Sequence, residues 1–202
     1  MIIDYARKCN TNNTNAVTKE EFKGFRCPKC HAQGMDDHGT YERWALSLET
    51  NGFGVLTLKV DRLTICRGKC ESCGATHAIL PSDIIPYKQY SLDTAVTVLS
   101  FVLQRKLTVE CVEKMLRIPH QVIYGILNQW SAMLFRLALW LRAIFQQYTI
   151  TGADCDKTAI LQFVSENVDR ASKSYLKYFK WPMFMTRYQN VIPQKVFIGI
   201  SE

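Results

Sequence analysis

The sequence predicts an α+β chain: a small β zinc ribbon followed by an all-α domain that contains a helix-turn-helix. Three observations carry this expectation. Two Cys-x2-Cys knuckles, Cys27-Pro28-Lys29-Cys30 and Cys70-Glu71-Ser72-Cys73-Gly74, stand 39 residues apart. The stretch between them is rich in β-branched and aromatic residues on either side of an Asn51-Gly52 turn signal. Beyond Ser91, apolar residues recur at helical spacing in successive segments.

Residues 1–18 open on a short apolar patch and pass through Asn10-Thr11-Asn12-Asn13-Thr14-Asn15, a polar tract without periodicity, which predicts a flexible lead. Residues 19–86 form the ribbon and a connector. Brought together, the knuckles offer the thiolates of Cys27, Cys30, Cys70 and Cys73 to one tetrahedral Zn2+, with Pro28 and Gly74 helping the tight turns. Four thiolates leave no position for water, so such an ion is structural. A ribbon this small buries little apolar surface, and metal binding supplies about 10–16 kcal/mol of apparent free energy in comparable sites.

Strands are expected over Thr40–Leu48 and Phe53–Cys66, joined at Asn51-Gly52. Leu56, Leu58 and Val60 share one face while Leu63 and Ile65 have the opposite parity, which predicts a bulge near Asp61-Arg62. Cys66, His31, His38 and His77 compete as ligands. Cys66 fits a looser Cys-x3-Cys with Cys70, and His31 or His77 could replace a thiolate; otherwise Cys66 is a strand residue and the histidines are turn residues. A redox role is disfavoured, because a redox Cys-x-x-Cys opens a helix in a βαβ context and these knuckles flank strands.

Residues 87–148 are expected to hold the helix-turn-helix and a long apolar helix. Pro81 and Pro86 bracket a connector whose Ile84, Ile85 and Tyr87 predict packing against its neighbours. Ser91 is a good N-cap for a helix carrying Leu92, Ala95, Val96, Leu99, Val102 and Leu103. Thr108 caps a shorter helix with Val109, Val112, Met115 and Leu116, which Arg117-Ile118-Pro119 ends. The chain resumes helix with Ile123, Ile126, Leu127 and Trp130 as a buried stripe. In such a unit the last helix would lie in the major groove of double-stranded DNA. Its outer face is His120, Gln121, Tyr124, Gly125 and Asn128. Gln and Asn can each bond an adenine bidentately, and Arg105, Lys106, Lys114 and Arg117 flank the face where phosphates would be met. That face has no Arg or Lys, and a three-helix packing unit with a polar outer face would give the same string.

From Ser131 to Tyr148 nearly every side is apolar, yet Arg136 and Arg142 interrupt the run and argue against a membrane span. A central helix, buried by the helix-turn-helix on one side and by the C-terminal part or a second copy on the other, fits better, and its all-round apolarity makes homodimerisation through it one of the two expectations. Residues 149–202 are expected to be mainly helical, over Asp156–Val168 and Arg170–Lys180, with a β-branched piece at Val191–Ile200. Tyr175, Tyr178, Phe179, Trp181, Phe184 and Tyr188 interleave with Lys173, Lys177, Lys180 and Arg187. Core aromatics with solvated lysines account for this more simply than base stacking does.

The net charge of +7 points weakly to polyanions. Residues 19–86 have nine basic and nine acidic residues, whereas residues 87–148 have seven and three, a net of +4, so the helices carry the positive charge. With no apolar leader over Met1–Asn10 and half of the eight cysteines explained as ligands, a reducing cytoplasm is expected. Asp154, Asp156, Glu166 and Asp169 cluster in sequence, but about 50 mostly helical residues supply no mixed sheet to fix a two-metal site. Enzymatic activity is therefore not expected.

The segments Cys27-Pro28-Lys29-Cys30, His38-Gly39-Thr40-Tyr41-Glu42-Arg43 and Arg67 to Cys70-Glu71-Ser72-Cys73-Gly74-Ala75-Thr76-His77 resemble the N-terminal zinc ribbon of bacterial insertion-sequence transposases and their accessory proteins. There a His-Gly turn follows the first knuckle, and a Cys-x-x-Cys-Gly-x-Thr knuckle precedes a helix-turn-helix. The continuation Ala78-Ile79-Leu80-Pro81 through Ile85-Pro86-Tyr87-Lys88-Gln89-Tyr90-Ser91-Leu92 is similar to an uncharacterised bacterial family known only as a domain of unknown function. The resemblance implies Cys27, Cys30, Cys70 and Cys73 as ligands and residues 119–130 as the DNA-contacting helix. It also implies a mobile-element accessory factor or regulator, without the catalytic domain for which the chain has no room, acting beside a transposase partner. The alternative is a zinc-stabilised protein-interaction module that does not read DNA.

Overall fold

A long hairpin dominates the amino-terminal part of the chain. The computed structural model describes residues 2–5, 17–81, 83–144, 157–167, 170–171, 174–175 and 183–184. The chain divides into two units, residues 1–94 and 95–202. In the first, strand β1 (Ile2–Tyr5) is followed by helix α1 (Lys19–Gly24), strands β2 (Met35–Thr50) and β3 (Leu56–Cys70), and strand β4 (Thr76–Pro81). β2, β3 and β4 form an antiparallel meander, and β1 joins parallel to β4, giving the order β1-β4-β3-β2. A strand at Ile2–Tyr5 thus falls inside the expected flexible lead, whose residues 6–16 lie outside the described residues. Helix α1 starts at a capping box: Thr18 Oγ1 accepts from the Glu21 N–H, and the Glu21 carboxylate accepts from the Thr18 N–H.

The hairpin corrects two expectations. Its register is unbroken from Thr40–Cys66 to Thr50–Leu56, so no bulge falls at Asp61-Arg62; the shift lies between Asp37 and Thr40. There the Asp37 carboxylate accepts from the Gly39 N–H at 2.9 Å, and Gly39 takes φ 77°. The parity change has another cause: both faces of β3 are covered near the base, whereas neither is fully buried towards the tip. Leu63 and Ile65 are packed at the base, whereas Val60, on the other face towards the tip, is exposed. The turn is also longer than Asn51-Gly52. Residues 51–55 make it, with Asn51 Oδ1 accepting from the N–H groups of Phe53 and Val55, and Gly54 taking the positive φ.

Each face of the sheet base has its own core. On one, Met35, Cys66, Cys70 and Ile79 pack with Phe22 of α1 and Cys27. On the other, Ala45, Leu63, Ile65 and Leu80 pack with Ile84 of the connector. Strand β4 went unrecognised in the sequence because both of its faces are covered, which removes the polar alternation that betrays a strand. The connector is strapped to the outer edge of β2, where the Leu46 N–H donates to Gln89 O at 2.7 Å and the Ser91 N–H to Leu46 O at 2.9 Å.

Helix α2 (Leu92–Leu99) begins in the first unit, and Ser91 caps it as expected, its Oγ accepting from the Thr94 N–H at 3.2 Å. It runs on as a π-helix over Ser100–Gln104. Helix α3 (Val109–Leu116) is capped by Thr108, whose Oγ1 accepts from the Cys111 N–H. Then comes α4 (His120–Ile144), a single helix of 25 residues that passes through Ser131 without a break. Ile123, Ile126, Trp130, Met133, Leu137, Trp140 and Leu141 form its buried side, and Arg136 is buried as well. Trp130 stacks on Phe184 at 6.2 Å, and Trp140 meets Phe163 of α5 (Lys157–Glu166) and Tyr175 edge-on. Tyr175 and Phe184 are therefore core residues. Residues 119–141 include the one described stretch, His120–Leu141, with the length and composition of a membrane span, and half of its apolar window is buried inside the protein, as a core helix is. Asp154, Asp156, Asp169, the Val191–Ile200 piece and the remaining aromatics of the last third lie outside the described residues.

Candidate metal centre and exposed helix face

The two knuckles are the same turn made twice. The Cys27 N–H donates to Ala32 O at 2.8 Å and the Cys70 N–H to Ala75 O at 2.9 Å, five residues on in each case. The His31 N–H donates to Cys27 O and the Gly74 N–H to Cys70 O, four residues on in each case. His31 (φ 63°) and Gly74 (φ 68°) occupy the equivalent left-handed position, which explains the glycine in the second knuckle and shows that His31 serves as a turn residue. Strand β3 delivers Cys70, and the loop after α1 delivers Cys27, beneath the Phe22–Met35 contact.

All four sulfurs lie within 4.8 Å of one another, with Cys27–Cys73 and Cys30–Cys70 each at 3.6 Å. A tetrahedral ion with metal–sulfur bonds of about 2.3 Å spaces its ligands by about 3.8 Å, so the cluster is compatible with a structural metal site. No disulfide joins the six described cysteines. Burial opposes ionisation of Cys27, but the N–H groups of Cys30 and Lys29 and the neighbouring thiols outweigh it and bring its pKa down to about 5. At Cys30 the Ala32 N–H favours the thiolate, yet burial and the three other sulfurs prevail and push it up to about 12. Sulfurs this close resist ionising together unless a cation joins them.

His77 plays a larger part than a turn residue. It is buried in β4, with Nε2 3.2 Å from Cys27 Sγ, and its Nδ1 has no partner among the described residues. Its position as the second residue of a strand was readable only once β4 was recognised. Cys66 is a buried strand residue beside the cluster and outside the group of four. His31 and His38 do not join the group either.

In the second unit, Gln121, Tyr124 and Asn128 are exposed along one face of α4, and a Cβ built on Gly125 between them would meet nothing within 4 Å. His120 is exposed but tied back: its N–H and Nδ1 approach Glu113 Oε1 at 3.0 and 3.2 Å, and its ring meets Tyr124 edge-on. The His120 N–H, then its ring, holds the Glu113 carboxyl below its usual range. Arg105, Lys106, Lys114 and Arg117 are all exposed. Arg105 lies over the Phe101 ring at 4.8 Å, Lys114 pairs with Glu110 at 2.7 Å, and Lys106 and Arg117 both take left-handed backbone at φ 55°, Arg117 as the C-cap of α3.

Residues 27–117 match the family described as Domain of unknown function (DUF6431), a span from the first knuckle cysteine to the C-cap of α3. No curated protein and no solved structure matches the chain.

Proposed function

We propose that the protein binds double-stranded DNA sequence-specifically through α4, and that one structural Zn2+ held by Cys27, Cys30, Cys70 and Cys73 stabilises the ribbon. The observation that carries the DNA reading is the clear outer face of α4. Gln121, Tyr124 and Asn128 stand out beside an unobstructed Gly125, after a short capped helix and a three-residue turn. Arg105, Lys106, Lys114 and Arg117 would meet phosphates, Lys114 after leaving Glu110. Zinc suits an all-sulfur set, and four thiolates leave no open position, so no reaction is assigned to it. With the transposase-type resemblance of the ribbon, this reading makes the protein an accessory factor or regulator of a mobile element, acting in the cytoplasm.

Selection of random duplexes on the zinc-loaded protein, followed by binding at several salt concentrations, tests the reading. The affinity should fall linearly on a log–log plot against salt. Gln121→Ala or Asn128→Ala should relax sequence preference by about 1–3 kcal/mol at one position, and Arg105, Lys106 or Arg117 changes should weaken every sequence alike. Failure of any duplex to bind at low salt rejects it.

A second reading, a zinc-stabilised interaction module, is favoured by one observation. The hairpin exposes Phe53 (94%), Val55 (55%), Val60 (55%) and Trp44 (53%) towards its tip. Exposed large apolar side chains gathered on one hairpin fit contacts with a protein partner, such as a transposase or a second copy of the chain. Salt-insensitive association would favour it over DNA binding.

A further inference from the structure

We infer that the ribbon carries a second binding site, a pocket for one nucleotide unit, on the face of its sheet that turns away from the cysteines. The pocket is a cavity of about 420 Å³ walled by β2, β3, β4 and the connector, within the usual range for small-molecule sites. Arg67 alternates with Cys66 and Gly68 along β3, which places it on the opposite side of the sheet from the cysteine core.

The charge pattern of the wall identifies the ligand class. Arg43, Arg67 and Lys88 all line the cavity, and no carboxylate does. Three cations elsewhere in the ribbon are matched: Lys23 to Asp36 and Glu71, Lys59 to Glu49 and Asp61, Arg62 to Glu42. None of the three cavity cations has an ion-pair partner among the described residues, nor does the buried Arg67 Nε find an acceptor among them. Arg43 is fixed in the wall, its Nη2 donating to the Ile85 carbonyl at 2.7 Å and to that of Lys88. Burial accordingly lowers its pKa, with the Tyr41 phenol offsetting part of the shift.

Three like charges converging on one cavity repel one another and lose hydration, a cost that a bound anion removes. Guanidinium forks match phosphate oxygens in geometry as well as charge. Tyr41 and Tyr87 also line the wall and offer aromatic surface to a base. Tyr87 holds its place at a left-handed φ of 62°, a conformation that side-chain-bearing residues adopt at a cost. Phosphate with an attached planar base is the chemistry this combination recognises. A free nucleoside monophosphate and the 5′-phosphorylated end of a strand both present it.

The site does not depend on α4 reading DNA, and the experiment keeps the two apart. Zinc-loaded full-length protein is titrated calorimetrically with adenosine monophosphate and with a short single strand, with and without its 5′-phosphate. Saturable binding of the monophosphate is expected, weakened about tenfold or more by Arg67→Gln and by Lys88→Gln, with unchanged metal content and circular dichroism. Lys59→Gln, at a paired cation of the same hairpin outside the cavity lining, should leave it unchanged. Tighter binding of the phosphorylated strand than of the unphosphorylated one, in competition with the monophosphate, would identify a strand end as the source; preference for the free nucleotide would identify the other. No saturable binding of either phosphorylated probe, or binding that both variants retain in full, overturns the inference. A variant that still binds duplex but not the monophosphate supports it and leaves the α4 reading intact.

Discussion

Changing Gly125 to Ala separates the two accounts of α4 in one protein. Gly125 lies inside a 25-residue helix, where glycine costs about 1 kcal/mol relative to alanine through lost backbone entropy. The added Cβ would meet nothing within 4 Å, so no packing penalty offsets that gain. The variant should therefore be more stable by about 0.8–1 kcal/mol, a rise in Tm on the order of 4–8 °C for a unit of about 100 residues. A duplex seated between Tyr124 and Asn128 would meet the new methyl at its point of closest approach, and its affinity should drop about tenfold, on the order of the 1–3 kcal/mol that an overpacked contact costs. Thermal melting followed by circular dichroism measures the first effect, and fluorescence anisotropy at one fixed salt concentration the second. Destabilisation would show that this face is packed against protein, which would refute the reading. A stabilised variant with undiminished DNA affinity would remove Gly125 from the interface.

The remaining predictions concern the ribbon and the α3–α4 turn. A Cβ at Gly68 would stand 3.0 Å from Met35 Sδ and 3.2 Å from a Phe22 ring carbon, so Gly68→Ala should destabilise the ribbon by about 1–3 kcal/mol in denaturant titrations and speed metal loss. Chelation should melt the ribbon at concentrations that leave the helical signal largely in place, and replacing any one of Cys27, Cys30, Cys70 or Cys73 by Ser should lower the bound metal, measured by mass spectrometry under native conditions. Glu113 ionises more readily in the folded chain than its ordinary value of 4.5 because the His120 N–H, followed by its ring, bonds the carboxylate. Its contribution is thus complete above that value and is lost as pH falls through the lower folded one; Glu113→Gln should flatten the acid limb of the stability curve.

What the sequence could disclose followed from how local each cause is. The clustering of the four cysteines was legible because a Cys-x2-Cys turn encodes its own geometry in five or six residues, and the caps at Ser91 and Thr108 likewise act on the next turn of chain. The hairpin's interior was harder, since Leu58 and Leu63 point to opposite faces without saying how far along the strands each face is covered. That is decided by α1 on one side and by Ile84 of the connector on the other, both remote in sequence. Strand β4 was hidden for the related reason that it is covered twice, and with it went the placement of His77 against Cys27. The cavity lay further still from view: Arg43, Arg67 and Lys88 come from three segments, the first two of them inside residues 19–86, whose formal charges balance, and charge counted along the chain averages away a cluster that exists only across strands. Neutral composition over residues 19–86 is therefore compatible with a cationic site, because Asp36, Glu42, Glu49, Asp61 and Glu71 pair with Lys23, Lys59 and Arg62, and no carboxylate lines the cavity.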